Sequence, residues 1–275
     1  MRIQETHRLD LPELKLFCGL NEVQLLRYNE PEAGLFIAES PRVIERALDA
    51  GYLPVSLLAE KSYFLREAAK LEERLGDITA YLCEESVLKG ITGYHLTEGM
   101  LCAMKRKELP DPVSLCGNAR RIALLEGVVN PTNIGAIFRS AAAMGMEAVL
   151  LTPSCCDPLY RRAIRVSMGN VFLVPWTYIT EDQRSWENSG MELLHSMGFK
   201  TAALALRENT LDIRDPLLRG EQKLAVLLGA EGDGLTDSTI RKSDYTVKIP
   251  MTNGVDSLNV AAASAVAFWE LSMRK

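Results

Sequence analysis

Six near-continuous apolar runs in the second half of the chain restrict its fold more than any other feature. They are Ile122–Val128, Ala148–Leu151, Val171–Ile179, Lys200–Leu206, Lys223–Gly229 and Asp244–Pro250. Most lack polar alternation, as strands buried on both faces do. Helical spacing fills the gaps at Asn133–Met144, Pro158–Met168, Ser185–Met197 and Thr236–Lys242. An apolar, Ala-rich helix over roughly Asp256–Met273 closes the chain. This alternation predicts an α/β domain with a mostly parallel sheet flanked by helices. No apolar run reaches the ~18–20 residues that cross a bilayer.

The first half reads as a smaller α/β unit. Its predicted strands are Gly34–Ala38, Pro54–Glu60, Ile78–Cys83 and Met100–Arg106. Ser40-Pro41 marks a helix start, with Ser40 as the capping residue. Further helices are predicted over Leu65–Leu75 and Glu85–Ile91, and an amphipathic piece over Leu11–Leu26. Lys107–Ala119 carries two prolines, a glycine and an asparagine and reads as a linker. The expected division is residues 1–108, a linker at 109–119, and residues 120–275. At 275 residues and 47% hydrophobic, the chain can supply both cores.

The six cysteines form no C-x-x-C, and adjacent Cys155–Cys156 are a poor disulfide pair. Reduced thiols, and an N-terminus with no apolar core after its charges, point to a cytoplasmic protein. Three scattered histidines offer no metal site. A net charge of −5 weighs against nucleic-acid binding, yet cations are concentrated at Lys105-Arg106-Lys107, Arg120-Arg121 and Arg161-Arg162 with Arg165. Each cluster alone reads first as a solvated surface run.

Three stretches of the second half carry candidate chemistry. In NPTNIGAIFRSAAAMG (Asn130–Gly145), Arg139 is the one cation on a helix of small and apolar residues. It is equally a structural residue bonding a carbonyl or a carboxylate. In LLGAEGDGL (Leu227–Leu235), Gly229, Gly232 and Gly234 permit positive φ and close approach of a ligand around Glu231. The glycines come too late in the chain for a dinucleotide fingerprint. In IPMTNGVDSLNV (Ile249–Val260), a loop of small and polar residues joins a strand to a helix. Ser257 there is equally a simple helix cap. No Ser–His–Asp set accompanies it.

The order N-x-G-x-x-x-R, then G-x-E-G-x-G-L, then I-P-M…S-L-N-V-A resembles the SpoU (TrmH-like) family of RNA ribose 2′-O-methyltransferases. GLFIAESPRVIERALDAG in the first half resembles the L30e-like RNA-binding domain that many members carry. The resemblance implies a deep trefoil knot (an α/β knot) in the C-terminal domain and a homodimer through that domain. It implies S-adenosyl-L-methionine as cofactor, held near Leu204, Ala205, Leu206, Gly229, Gly234, Ile249, Met251 and Leu258. Its active-site positions fall on Asn133, Arg139, Glu231, Ser257 and Asn259, with Glu231 expected to hold Arg139 or the knot. RNA would meet Lys105, Arg106, Lys107, Arg161, Arg162 and Arg165. Ribosomal RNA is the expected substrate, transfer RNA the alternative. Rival readings are a non-catalytic RNA-binding protein on this fold, a base-nitrogen methyltransferase and a nucleotide-binding enzyme without RNA.

Overall fold

The computed structural model describes residues 1–7, 11–92 and 99–273. It divides into two compact units. One is Met1–Glu108 together with Leu159–Phe172, the other Leu109–Pro158 together with Leu173–Lys275.

The first unit holds a five-stranded sheet of β1 (Arg2–Glu5), β2 (Leu35–Glu39), β3 (Pro54–Glu60), β4 (Thr79–Cys83) and β5 (Met100–Lys105), in the order β1-β4-β3-β5-β2. Strands β1, β4 and β3 run parallel, and β5 pairs antiparallel with both β3 and β2. Helices α1 (Pro41–Asp49), α2 (Lys61–Leu75) and α3 (Glu85–Thr92) connect them. Strand β1 was not legible in the sequence, because all four of its residues are exposed and it has no apolar alternation. Ser40 starts α1, but not through its side chain. It sits at φ 83° with no side-chain cap bond, and its carbonyl accepts from the Ile44 amide at 3.0 Å. The Leu11–Leu26 piece breaks into three short helical turns, separated in part by Gly19-Leu20-Asn21.

Leu159–Phe172 joins this unit because of what it buries. The Phe172 ring packs against Phe36 and Tyr52, with centroids 5.6 and 5.3 Å away. Its helix forms only over Arg161–Val166, shorter than the expected Pro158–Met168. The expected strand Val171–Ile179 shrinks to Trp176–Tyr178, since Asn170–Phe172 is a 3₁₀ turn and Pro175 has no N–H for a ladder.

The second unit is built on seven strands: β6 (Arg121–Glu126), β7 (Ala148–Leu151), β8 (Trp176–Tyr178), β9 (Lys200–Leu204), β10 (Leu211–Asp212), β11 (Leu224–Gly229) and β12 (Tyr245–Lys248). Their order is β10-β12-β9-β11-β6-β7-β8, and every pair is parallel. Central β6 and β11 are buried along their whole length, which explains the apolar runs Ile122–Leu125 and Leu224–Leu228. Helices α4 (Pro131–Met144), α5 (Asp237–Lys242) and α6 (Val260–Leu271) follow β6, β11 and β12, and α4 packs against α6. Between β8 and β9 the chain runs helically through Gln183–Ser185, a π turn at Trp186–Gly190 and Met191–Ser196. Pro112–Cys116, inside the expected linker, is a short helix capped by Asp111. One buried cluster on β6, β7, β9 and β11 includes Ile122, Leu124, Leu150, Ala203 and Leu227, with Trp186, Leu194 and Phe199 laid over them.

Candidate active site

The three motif stretches leave the C-terminal ends of β6, β11 and β12, the edge where α/β sheets bind ligands. After β6, Pro131 occupies the first helical turn of α4, and the Asn130 side chain accepts the Thr132 amide at 2.9 Å. The helix therefore starts two residues earlier than its spacing suggested. This start places Asn133 on the buried side of the first turn, 5% exposed.

After β11, Ala230 and Gly234 exchange backbone hydrogen bonds of 3.2 and 3.1 Å, closing a tight AEGDG loop. Gly232 and Gly234 sit at φ 88° and 71°, where a side chain is strained. A Cβ on Gly229 would lie 2.1 Å from the Gly234 carbonyl carbon, so only glycine lets the loop fold back on the strand. After β12, Asn253 and Gly254 turn the chain at φ 57° and 70°. Helix α6 begins at Val260, not at Asp256, and its cap is Asn259 and not Ser257. The Asn259 Oδ1 accepts the Ala261 amide at 2.9 Å.

A carboxylate ties the three together. Glu231 Oε1 accepts from Asn133 Nδ2, and from Asn259 Nδ2 at 2.5 Å; Asn259 Nδ2 also lies 3.3 Å from Asn133 Oδ1. Asn259 thus caps α6 with its oxygen and holds Glu231 with its nitrogen. Glu231 does not hold Arg139. Six residues of helix advance about 600°, so Asn133 and Arg139 occupy different faces. Arg139 is exposed and makes no side-chain hydrogen bond or ion pair with a described residue.

Beside this cluster lies a cavity of about 530 Å³. Leu204 lines it from the end of β9 with Ala205 and Leu206 just beyond, Gly229 and Gly234 from the glycine loop, and Ile249, Met251 and Leu258 from the last loop. Glu231, Ser257 and Asn259 also face it, whereas Asn133 and Arg139 do not line it. Two basic lining residues went unread in the sequence. Arg207, directly after the β9 segment, pairs with Asp237 at the start of α5. Lys248 ends β12. Among the described residues no group of three or more His, Cys, Asp or Glu is placed to hold a metal. None of the six cysteines is paired in a disulfide. No helix among the described residues is long and apolar enough to cross a membrane.

The cations expected to meet RNA lie in the first unit. Arg161 Nε pairs with buried Glu39 at 3.0 Å, Arg106 Nε donates to the Leu35 carbonyl at 3.0 Å, and Lys107 donates to the Ala50 carbonyl. Lys105 and Arg162 are exposed and Arg165 is half-buried.

Comparison with known proteins places this geometry in a family. An uncharacterized tRNA/rRNA methyltransferase of Mycobacterium bovis is 36% identical over 271 residues, which are 98% of this chain and 91% of that protein. A 23S rRNA (guanosine-2′-O-)-methyltransferase of Vibrio vulnificus is 35% identical over 149 residues, 54% of this chain and 57% of that one. The crystal structure of an AdoMet-bound rRNA methyltransferase from Sinorhizobium meliloti shares the fold, with a TM-score of 0.80 at 23% identity over 98% of this chain and 97% of that one. Residues 120–269 match the family described as SpoU rRNA Methylase. The chain belongs to the SpoU methylase family.

Proposed function

We propose that this protein transfers the methyl group of S-adenosyl-L-methionine to a ribose 2′-hydroxyl of RNA, and that the RNA is ribosomal. The observation that carries the reading is the Glu231–Asn133–Asn259 cluster beside the cavity, because it joins all three motifs at one sheet edge. The cavity suits the cofactor. Leu206, Ile249, Met251 and Leu258 offer apolar walls for an adenine, and the glycine loop offers backbone groups that no side chain covers. Bound there, the cofactor supplies an electrophilic methyl group.

The chain's own residues do the rest by positioning. Asn133 and Asn259 fix the Glu231 carboxylate and with it the loop. Ser257, exposed on the cavity wall, is free to meet a ribose. Arg139, outside the cavity lining, acts on the RNA side. A guanidinium holds its proton too firmly to serve as a base, so Arg139 orients the nucleotide and stabilises developing charge. The trefoil knot belongs to this reading. So does a homodimer: Ala262, Val266 and Trp269 form an exposed apolar stripe on α6, with Trp269 56% exposed. The first unit would add RNA affinity through Lys105, Arg106 and Lys107, with Arg161, Arg162 and Arg165. Six cysteines outside any disulfide suit a cytoplasmic setting.

Ribosomal RNA is favoured because the family description and the Vibrio relative's name both specify it. The Mycobacterium relative's name keeps transfer RNA as the second reading. Calorimetry with S-adenosyl-L-methionine and a chelator tests the pocket. Mapping 2′-O-methyl sites in total RNA from a deletion strain and its parent tests the substrate. No binding heat, or an unchanged map, would remove the assignment.

A further inference from the structure

Glu126 ends β6, a wholly buried strand that is apolar from Ile122 to Leu125, and is itself 3% exposed. It points to the same face as Ile122 and Leu124, into the cluster with Trp186. A buried carboxylate is costly unless donors surround it. Here Oε1 accepts from Trp186 Nε1 at 2.8 Å and from the Thr239 hydroxyl at 2.8 Å, with the Thr236 hydroxyl 3.1 Å away. Oε2 accepts from the Thr236 backbone amide at 3.0 Å.

These donors have a pattern. Thr236 is the cap of α5, and Thr239 is in its first turn. The segment Ala230–Leu235 that leads into that cap is the glycine loop carrying Glu231. In the sheet register Glu126 lies opposite Gly229, the residue where the loop leaves β11. The loop is therefore held at both ends: at its start by β6–β11 pairing, at its finish by the Glu126 carboxylate. Trp186 reaches Glu126 from the π turn. A Cβ on Gly190 would lie 2.0 Å from the Trp186 ring, so the indole position depends on that glycine. Tight π turns of this kind recur where a helix adjusts a functional side chain.

We infer that Glu126 is a positioning residue for the cofactor loop, setting the placement of Ala230–Leu235 and of Glu231 through Thr236 and Thr239. The inference rests on the methyltransferase reading for what the loop binds, and on geometry alone for what anchors it. Glu126→Gln keeps the shape but sets its carboxamide NH2 against a donor in either flip, the Thr236 backbone amide in one and the Trp186 indole N–H in the other. Thr239→Val and Trp186→Phe each delete one donor and leave the carboxylate.

The test uses the full chain and two measurements. Amide hydrogen exchange without cofactor reads the loop, and calorimetry reads the Kd for S-adenosyl-L-methionine. For Glu126→Gln, exchange across Ala230–Thr236 should accelerate while α4 amides keep their protection. The Kd should rise about tenfold or more, the scale of one lost charge-assisted hydrogen bond. Thr239→Val and Trp186→Phe should move both readouts the same way by less. Protection lost evenly through the sheet, with an unchanged Kd, would make Glu126 a general stability group and overturn the inference. If Glu126→Gln does not fold, unchanged loop exchange and Kd in the other two variants overturn it. Faster loop exchange beside a wild type that binds no cofactor would uphold the anchor and remove the methyltransferase reading instead.

Discussion

Asn259 performs two tasks with two atoms, and substitutions separate them. Its oxygen caps α6, accepting the Ala261 amide at 2.9 Å. Its nitrogen donates to Glu231 at 2.5 Å. Asn259→Ala removes both. Loss of the cap costs about 1 kcal/mol. The bond to Glu231 is exposed, so its share of stability is small, on the order of 0.5 kcal/mol or less. Asn259→Ala should therefore lower Tm by roughly 2–5 °C. Asn259→Asp keeps the cap, and its charge suits a helix N-terminus. It also faces one carboxylate with another where a donor stood, so Glu231 must move or take a proton. Asn259→Asp is expected to hold the wild-type Tm within about 1 °C and to lose methyl transfer by about 100-fold, the scale of one preorganised contact. Thermal melts and transfer of labelled methyl to RNA check the pair. An Asp variant with normal turnover would refute the Glu231 link as part of the site. An Ala variant as stable as wild type would refute the cap.

Arg139→Ala should cut turnover by about 100-fold or more with cofactor Kd unchanged, since Arg139 stands outside the cavity lining. Arg139→Lys should also fail if the planar fork matters, and single-turnover rates distinguish it from simple charge. Trp269→Glu or Val266→Glu should leave monomers in sedimentation, whereas fully buried Ala267 faces its own core, so a charge there would test folding rather than dimerisation. Asp244 accepts from Lys200 Nζ at 2.7 Å, from the Thr201 amide at 3.0 Å and hydroxyl at 2.9 Å, and lies 3.1 Å from His195 Nε2. Burial pushes its carboxyl up, but these hydrogen bonds outweigh burial and hold it at about 2. Because the folded value lies below the unfolded ~3.9, its contribution is present above pH ~4 and is lost as pH falls through ~2. Denaturant melts from pH 2 to 7 should show Asp244→Asn losing about 2 kcal/mol at neutral pH and the acid dependence with it.

The sequence alone determined whatever depends on neighbours along the chain. Unbroken apolar runs identified the buried strands, and helical spacing identified α1, α4 and α6. The small-residue loops marked the edge where the cavity lies, since glycine at positive φ is a local requirement. The eight expected cofactor residues all line the cavity, because they sit at the ends of β9 and β11 or in the loops that leave β9, β11 and β12 at that edge. Tertiary structure decided the contacts between residues far apart. Arg2–Glu5 is a strand only because β4 supplies its partner. Leu159–Phe172 leaves its sequence neighbours because Phe172 finds Phe36 and Tyr52. Glu231 meets Asn133 and Asn259, 98 and 28 residues away, and not Arg139. Glu126 becomes an anchor only when Trp186, Thr236 and Thr239 converge on it. Periodicity reports which face of an element is buried; which side chains meet there depends on how the sheet orders its strands, and no local pattern contains that order.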